Sequence, residues 1–336
     1  MTAITIQGLQ ADLRESDNDP LISKSPIQPD QATIHGVLLL DKPPGITSFA
    51  AVARVRKLLH VDKVGHCGTL DPFATGLLLI CINHATRIVD QLLVQDKVYR
   101  CRVRLGMETD TLDHTGAVTS EYQGGPLGES DLCGALQSFC GTYVQAVPGY
   151  SAVRVNGRRL HQWTRQGVKV EVPTREVGIH NIELLSYEWP EADLEVHCSK
   201  GTYIRQLAAD IGRLLGCGAH LTELRRLASG LFHLDRAVRM DQLEHVRDAQ
   251  TWPPALIPLN EALDHLPALV VGDERALGGL SHGHLDASWE AVLSQTLTSH
   301  GPGPVRLVRP DRKLVALWWP SAGHGERRLR VFPSAG

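Results

Sequence analysis

The 336-residue chain has no uninterrupted apolar run near the roughly 20 residues that a membrane-spanning helix requires, which leaves no candidate span. Its opening stretch, MTAITIQGLQADLRESDNDP, lacks the basic region and apolar core of a secretory signal, so a cytoplasmic protein is the expectation. Seven cysteines are scattered without a CxxC pair among them, which argues against a disulfide framework or zinc ribbon. GxxxxGK followed by Ser or Thr does not occur, and the glycines do not spell GxGxxG, so neither a Walker site nor a dinucleotide fingerprint is present. No serine elbow of the α/β-hydrolase kind is expected either. Repeats and low-complexity tracts are missing too, and at 43% hydrophobic and 21% charged residues the chain reads as an ordinary globular protein.

What is present begins with charge. There are 34 basic and 37 acidic residues, a net charge of −3, and residues 1–30 alone hold five acids against two bases, also −3. Residues 31–336 therefore sum to zero, and the segregation of their charges decides the class of partner. Three basic patches stand out: Arg100, Arg102 and Arg104; Arg154, Arg158, Arg159, Arg165 and Lys169, interleaved with Tyr150 and Trp163; and Lys200, Arg205, Arg225 and Arg226. Joined by folding, they would form a surface that tracks phosphates.

Length and pattern predict three parts: a flexible acidic tail over 1–33, a main unit over 34–250, and a linker with a small β-rich unit over 251–336. GVLLLDKPPG reads as a strand broken by prolines, and Phe49, Val52, Val55 and Leu59 recur at helical spacing behind a Thr47/Ser48 cap. A buried strand over 77–81 and a helix near 85–93 come next. KVYRCRVRLG alternates strictly, with Tyr99, Cys101, Val103 and Leu105 on one face and three arginines on the other. A helix near 130–139, a turn at Asn156-Gly157, strands near 179–187 and 194–198, and an amphipathic helix ending at Gly216 complete the main unit. Beyond TWPPALIP, the short runs VRLVRP, KLVALWW and RRLRVF read as strands.

The most informative stretch is VGHCGTLDPFATG. Asp71 precedes Pro72 in a loop with Gly65, Gly68 and Gly76, whose backbones allow close approach of a ligand, so the carboxylate is a candidate nucleophile or general base. Asp-Pro is also a plain turn opener, and spacing alone leaves both readings open. His66-Cys67 and His197-Cys198 lack metal-ligand spacing; Asp110 and Asp113 could pair on a cation, but acid-rich turns with Thr are common solvated loops, and no metal is expected at any of these places.

Five segments carry a resemblance. In order, GVLLLDKPPGITS, VGHCGTLDPFATGLLL, KVYRCRVRLGMETDTLD, PGYSAVRVNGRRLHQWTRQG and HCSKGTYIRQLAADIGRLLGCGAHLTELRRLASG resemble the bacterial TruB family of tRNA pseudouridine synthases over about residues 35–250. The resemblance implies an α+β fold, with a mixed, mainly antiparallel sheet, flanking helices and a small β-rich PUA-like C-terminal domain. It implies isomerisation of the T-loop uridine at tRNA position 55 to pseudouridine, without cofactor or metal. Among partners it implies the T-arm of tRNA and no obligate protein.

By the same resemblance Asp71 is the catalytic carboxylate, Tyr99 the active-site tyrosine and Arg205 the arginine that pairs with the carboxylate. His66 fills the space left by the everted nucleotide, Tyr203 and Leu224 line the uracil pocket, Asp113 belongs to the active-site network and Lys42 to the N-terminal Lys-Pro motif. Arg154 and Arg158 are placed among the substrate contacts. Three positions depart from the commoner pattern: Cys67 stands where Thr is usual, Arg154 where Lys is frequent and His161 where Tyr is usual. An ionised carboxylate needs no help at neutral pH, so the arginine's implied part is orientation. Attack at C1′, addition at C6 and removal of a sugar proton all ask for a carboxylate at the sugar–base junction. The alternative of another class is a non-catalytic RNA-binding or tRNA-folding factor.

Overall fold

The computed structural model describes residues 34–168, 170–246, 255–285, 289, 293, 303–319 and 329–332. The expected acidic tail and most of the TWPP break lie outside the described residues. Two strands buried on both faces lie side by side in the main sheet. They are β1 (Gly36–Lys42) and β3 (Thr75–Ile82), paired antiparallel and read in the sequence as apolar runs rather than alternations. Between them lie α1 (Ser48–Leu59) and β2 (Val64–Cys67), and after β3 come α2 (Val89–Leu93) and β4 (Lys97–Leu105). The chain continues through β5 (Met107–Thr109), β6 (Val118–Glu121), α3 (Glu129–Phe139) and β7 (Gly141–Ala146). A small hairpin, β8 (Arg154–Val155) and β9 (Arg158–Arg159), precedes α4 (Leu160–Arg165). Long strands β10 (Thr174–Glu188) and β11 (Glu191–Cys198) then lead into α5 (Ile204–Leu214) and β12 (Ala219–Ser229).

The main sheet has the order β14-β1-β3-β12-β4-β11-β10-β7, where β14 is Val238–Arg239; β13 (Phe232–His233) pairs with β12 at its side. Most pairs are antiparallel, whereas β12 runs parallel to β3 and β14 parallel to β1. The α+β, mixed-sheet expectation therefore holds. Helix α6 (Met240–Val246) follows, and β15 (Leu256–Ile257) adds to β1, so the prolines of TWPPALIP do not end the main sheet. After α7 (Leu259–Ala262), a four-stranded sheet forms from β16 (Ala268–Val270), β17 (Val305–Val308), β18 (Leu314–Trp318) and β19 (Leu329–Val331), with α8 (Glu274–Ser281) between the first two in sequence. Its core holds Leu277, Leu280, Leu307 and Trp318.

Two local expectations change. Phe49 is 77% exposed, and the buried face of α1 is Ser48, Ala51, Val52 and Val55, because Phe49 sits at the first turn and points away from the sheet. The helix expected near 85–93 is split into a 3₁₀ turn over Asn83–Arg87 and the short α2. Asn83 takes a left-handed φ of 50° there while its side chain bonds Ile34 O and the Lys63 amide. Local side-chain bonding of this kind competes with regular helix.

One glycine fixes how the halves of the sheet meet. At Gly76, φ is +95° and a Cβ would stand 2.3 Å from the Arg226 carbonyl oxygen and 2.8 Å from the Arg226 amide nitrogen. Neither backbone atom can retreat without breaking the parallel β3–β12 pairing, in which Arg226 is opposite Gly76. Gly45 also has a positive φ, +82°, but open space around its Cβ position. Gly45→Ala is expected to cost only the left-handed strain of about 1–2 kcal/mol, and Gly76→Ala at least twice that; urea unfolding of both variants checks the ranking.

Candidate active site

Asp71 sits in the loop between β2 and β3, held from three sides. Ser48, at the start of α1, donates its hydroxyl to Leu70 O (3.0 Å) and accepts from the Leu70 amide (2.9 Å). The Gly45 amide donates to Pro72 O at 2.9 Å, and the fully buried Lys42 ammonium donates to Pro43 O, Ile46 O and Pro72 O. Arg226 of β12 donates to Gly68 O at 3.0 Å. A turn opener needs none of these ties.

Facing the loop, α5 delivers Arg205. Its Nε donates to Asp71 Oδ2 at 2.8 Å and its Nη2 to Asp71 Oδ1 at 3.1 Å, a two-point grip that fixes the plane of the carboxylate. The arginine is held in turn by Thr111 O (2.8 Å) and Tyr150 O (3.1 Å), with Asp113 Oδ2 at 3.7 Å from Nη1. Asp113 is fixed by the Thr111 hydroxyl (2.9 Å) and the Thr115 amide (2.9 Å). The Arg205 side chain is 4% exposed and that of Asp71 32%, so the acid alone looks into solvent.

It looks into a cavity of about 680 Å³, lined by Asp71, Tyr99, Asp113, Tyr203, Arg205 and Leu224 among the residues expected from the sequence. That volume suits one nucleotide. The Tyr203 amide and carbonyl are both bound by Gln145, and the Arg175 guanidinium lies 5.1 Å over the Tyr203 ring. Burial pushes the Tyr99 phenol above its ordinary value, an effect opposed by Arg226. Lining residues that went unrecognised as site members include Lys97, Arg226 and Ser151. Alternation along β4 could have found Lys97, which shares the face of Tyr99; Arg226 and Ser151 depend on contacts between distant segments. Burial lowers Lys97 to about 8, helped by Arg226, and its ammonium donates to Leu93 O and Gln95 O.

Other expected residues lie elsewhere. Lys42 supports the loop from behind, and His66, in β2, leaves a buried Nδ1 without a partner and is lowered by burial and by Arg226. Arg154 and Arg158 sit on the exposed β8–β9 hairpin outside the cavity lining, Arg154 donating to Gly157 O and Arg158 lying 5.0 Å over Trp163. The arginines of β4 do not form the expected phosphate-tracking patch. Arg100 pairs with Glu195, Arg102 with Asp193 and Glu223, and Arg104 with Glu191, because β11 places an acid opposite each one. Arg225 is likewise paired with Asp41 at 2.7 Å. Free cationic surface remains on the hairpin and α4 side, where Arg154, Arg158, Arg159 and Arg165 form no ion pair with a described carboxylate.

Among the described residues one group could approach a metal ion, Asp96, His180 and His197, all exposed, with His180 Nε2 at 3.1 Å from Asp96. His197 lies opposite Val98 in the β4–β11 register, on the sheet face away from Tyr99. GLSHG at 279–283 does spell the GxSxG pattern of a hydrolase elbow. Ser281, however, closes α8 and donates to Gly278 O at 2.7 Å, and it is far from any strand-to-helix elbow. No described helix is long and apolar enough to cross a membrane.

The mixed sheet with its flanking helices is the fold of the pseudouridylate synthases, as comparison with known proteins shows. Residues 56–204 match the TruB family pseudouridylate synthase N-terminal domain, and residues 205–264 the tRNA pseudouridylate synthase B C-terminal domain. The chain is 53% identical over 298 residues to the tRNA pseudouridine synthase B of Syntrophobacter fumaroxidans, covering 88% of this chain and 97% of that one. It is 39% identical over 308 residues to the protein of the same name from Syntrophotalea carbinolica, covering 90% and 99%. Among solved structures it is similar to one described as an H/ACA RNP bound to a substrate RNA containing 2′-deoxyuridine, at 27% identity and a TM-score of 0.62, covering 85% of this chain and 78% of that one. The chain belongs to the TruB family.

The buried Lys42 has a consequence for stability. Burial lowers its folded value from 10.5 to about 8, with Asp71 opposing. Between those pH values the unfolded chain binds a proton that the folded chain does not, so stability rises with pH across that window. Lys97 acts in the same direction. Denaturation midpoints measured from pH 7 to pH 10 should rise for the wild type and rise less for Lys42→Met.

Proposed function

We propose that the protein converts the T-loop uridine at position 55 of tRNA into pseudouridine, with Asp71 as the carboxylate at the sugar–base junction. The observation that carries this reading is the two-point grip of Arg205 on Asp71 at the mouth of a nucleotide-sized cavity. The isomerisation breaks N1–C1′, turns the uracil and rejoins it through C5. A stacked nucleotide must first leave its loop, at an expense of a few kcal/mol. Stacking on Tyr99 or Tyr203 returns about 1–3 kcal/mol, and His66 is the group proposed to fill the gap in the RNA.

Arg205 keeps both carboxylate oxygens in plane, so Asp71 meets the ribose in one orientation rather than folding back onto loop amides. Leu224, Tyr203 and Tyr99 share the cavity lining, the first two as the proposed apolar walls for the base and Tyr99 as the proposed acceptor of the proton leaving C5. The unpaired arginines of the hairpin and α4 are the proposed phosphate contacts, with Arg154 and Arg158 outside the cavity holding the T-arm rather than the base. A purely RNA-folding protein would have no use for a buried guanidinium clamping one carboxylate at a cavity mouth.

Asp71→Asn should release no tritium from tRNA carrying 5-tritiated uridine while binding that tRNA within about tenfold of the wild type. Tyr99→Phe should keep binding and lose most turnover. Wild-type rates in either variant would overturn the assigned role.

A further inference from the structure

Arg226 is the second buried guanidinium of the site, 1% exposed, and among the described residues it has no carboxylate partner. Arg205, by contrast, holds Asp71. A guanidinium cannot shed its proton, so its charge persists in the pocket wall. Nε donates to Leu77 O at 2.7 Å and Nη2 to Gly68 O at 3.0 Å, which fixes the group by two carbonyls from different segments. Its third neighbour is chemically different. Arg226 is the register partner of Tyr99 across β12 and β4, and both side chains line the same cavity, so the guanidinium charge acts on the phenol.

Resting on the functional reading above, we propose that Arg226 is a positioning residue that works through Tyr99. Its permanent charge favours the phenolate, so that Tyr99 can accept the proton leaving C5 of the reattached uracil. Tyr99 first gives its hydroxyl proton to water. The phenolate then takes the C5 proton and becomes the phenol again, the bonding pair of that C–H closes the C5=C6 double bond, the C6=N1 π pair moves onto N1, and N1 takes a proton from water.

The remaining groups around the phenol do not supply this charge as well. Cys198 of β11 and Asp71 of the loop both oppose the phenolate, as does burial. Lys97, on the same strand and face, titrates at about 8 and so loses its charge as the pH rises towards the phenol's range. Arg226 stays cationic throughout, and unlike Arg205 it has no described carboxylate to neutralise it.

The test is a double-mutant cycle read as single-turnover rate against pH. Arg226→Met should lower the rate at pH 7 by about tenfold or more and move the rising limb upward by about one pH unit, whereas Arg226→Lys should recover most of the loss. In a Tyr99→Phe background, Arg226→Met should change the rate by less than about twofold. Should the Met variant fail to fold by thermal melting, Arg226→Gln replaces it in both backgrounds. Equal losses with and without Tyr99, or a loss that is the same at every pH, would overturn the role. So would a limb that still moves in Tyr99→Phe, since that limb belongs to Lys97. An inactive wild type would remove both the functional reading and this role, whereas an active wild type with additive losses removes this role alone.

Discussion

The structure depends on one contact between segments 134 residues apart, the Arg205 guanidinium on the Asp71 carboxylate. Each end is supplied by a different half of the sheet. Asp71 comes from the loop entering β3, and Arg205 from the first turn of α5, which packs on β12. The parallel β3–β12 pairing joins those halves, and it exists because Gly76 lets two backbones meet without a side chain between them. A change in that pairing would carry loop and helix apart. The site is therefore a property of the whole sheet rather than of a loop.

The cations behind the site follow a common rule. Lys42, Lys97 and Arg226 are each buried and each satisfied by backbone carbonyls, with no carboxylate in hydrogen-bond contact. Carbonyl partners spend hydrogen-bond capacity without cancelling charge, so the pocket wall remains electropositive while its loops are tied down. Burial of such groups is destabilising taken alone, as the lowered values of both lysines record. The fold tolerates it at a functional centre, where local rules of stability are most often broken.

Much of this was readable beforehand, for identifiable reasons. Period-2 alternation in KVYRCRVRLG put Tyr99 on the buried face, because that signal is local, whereas Arg205 was marked by the family resemblance and not by its helical spacing. The Asp71 loop was visible as glycines flanking an Asp-Pro step. What could not be read were relations between distant segments. Nothing local tells that Glu191, Asp193 and Glu195 stand opposite the three arginines of β4, so those arginines looked like free charge. Arg226 was counted as surface for the same reason, and Phe49 was assigned to the core because spacing alone does not say which turn of a helix overhangs its sheet.

The cancelled arginines matter for how a polyanion meets the molecule. With Arg100, Arg102 and Arg104 each tied to an acid, the back of the sheet is electrically quiet, while the hairpin beside the cavity keeps bare guanidinium groups. A nucleic acid colliding with the rear finds no hold and diffuses off, and one colliding with the front is retained within reach of the cleft. Among the described residues the hairpin and α4 thus offer unpaired cations beside the cavity, so first encounters there are held where the base can be inspected.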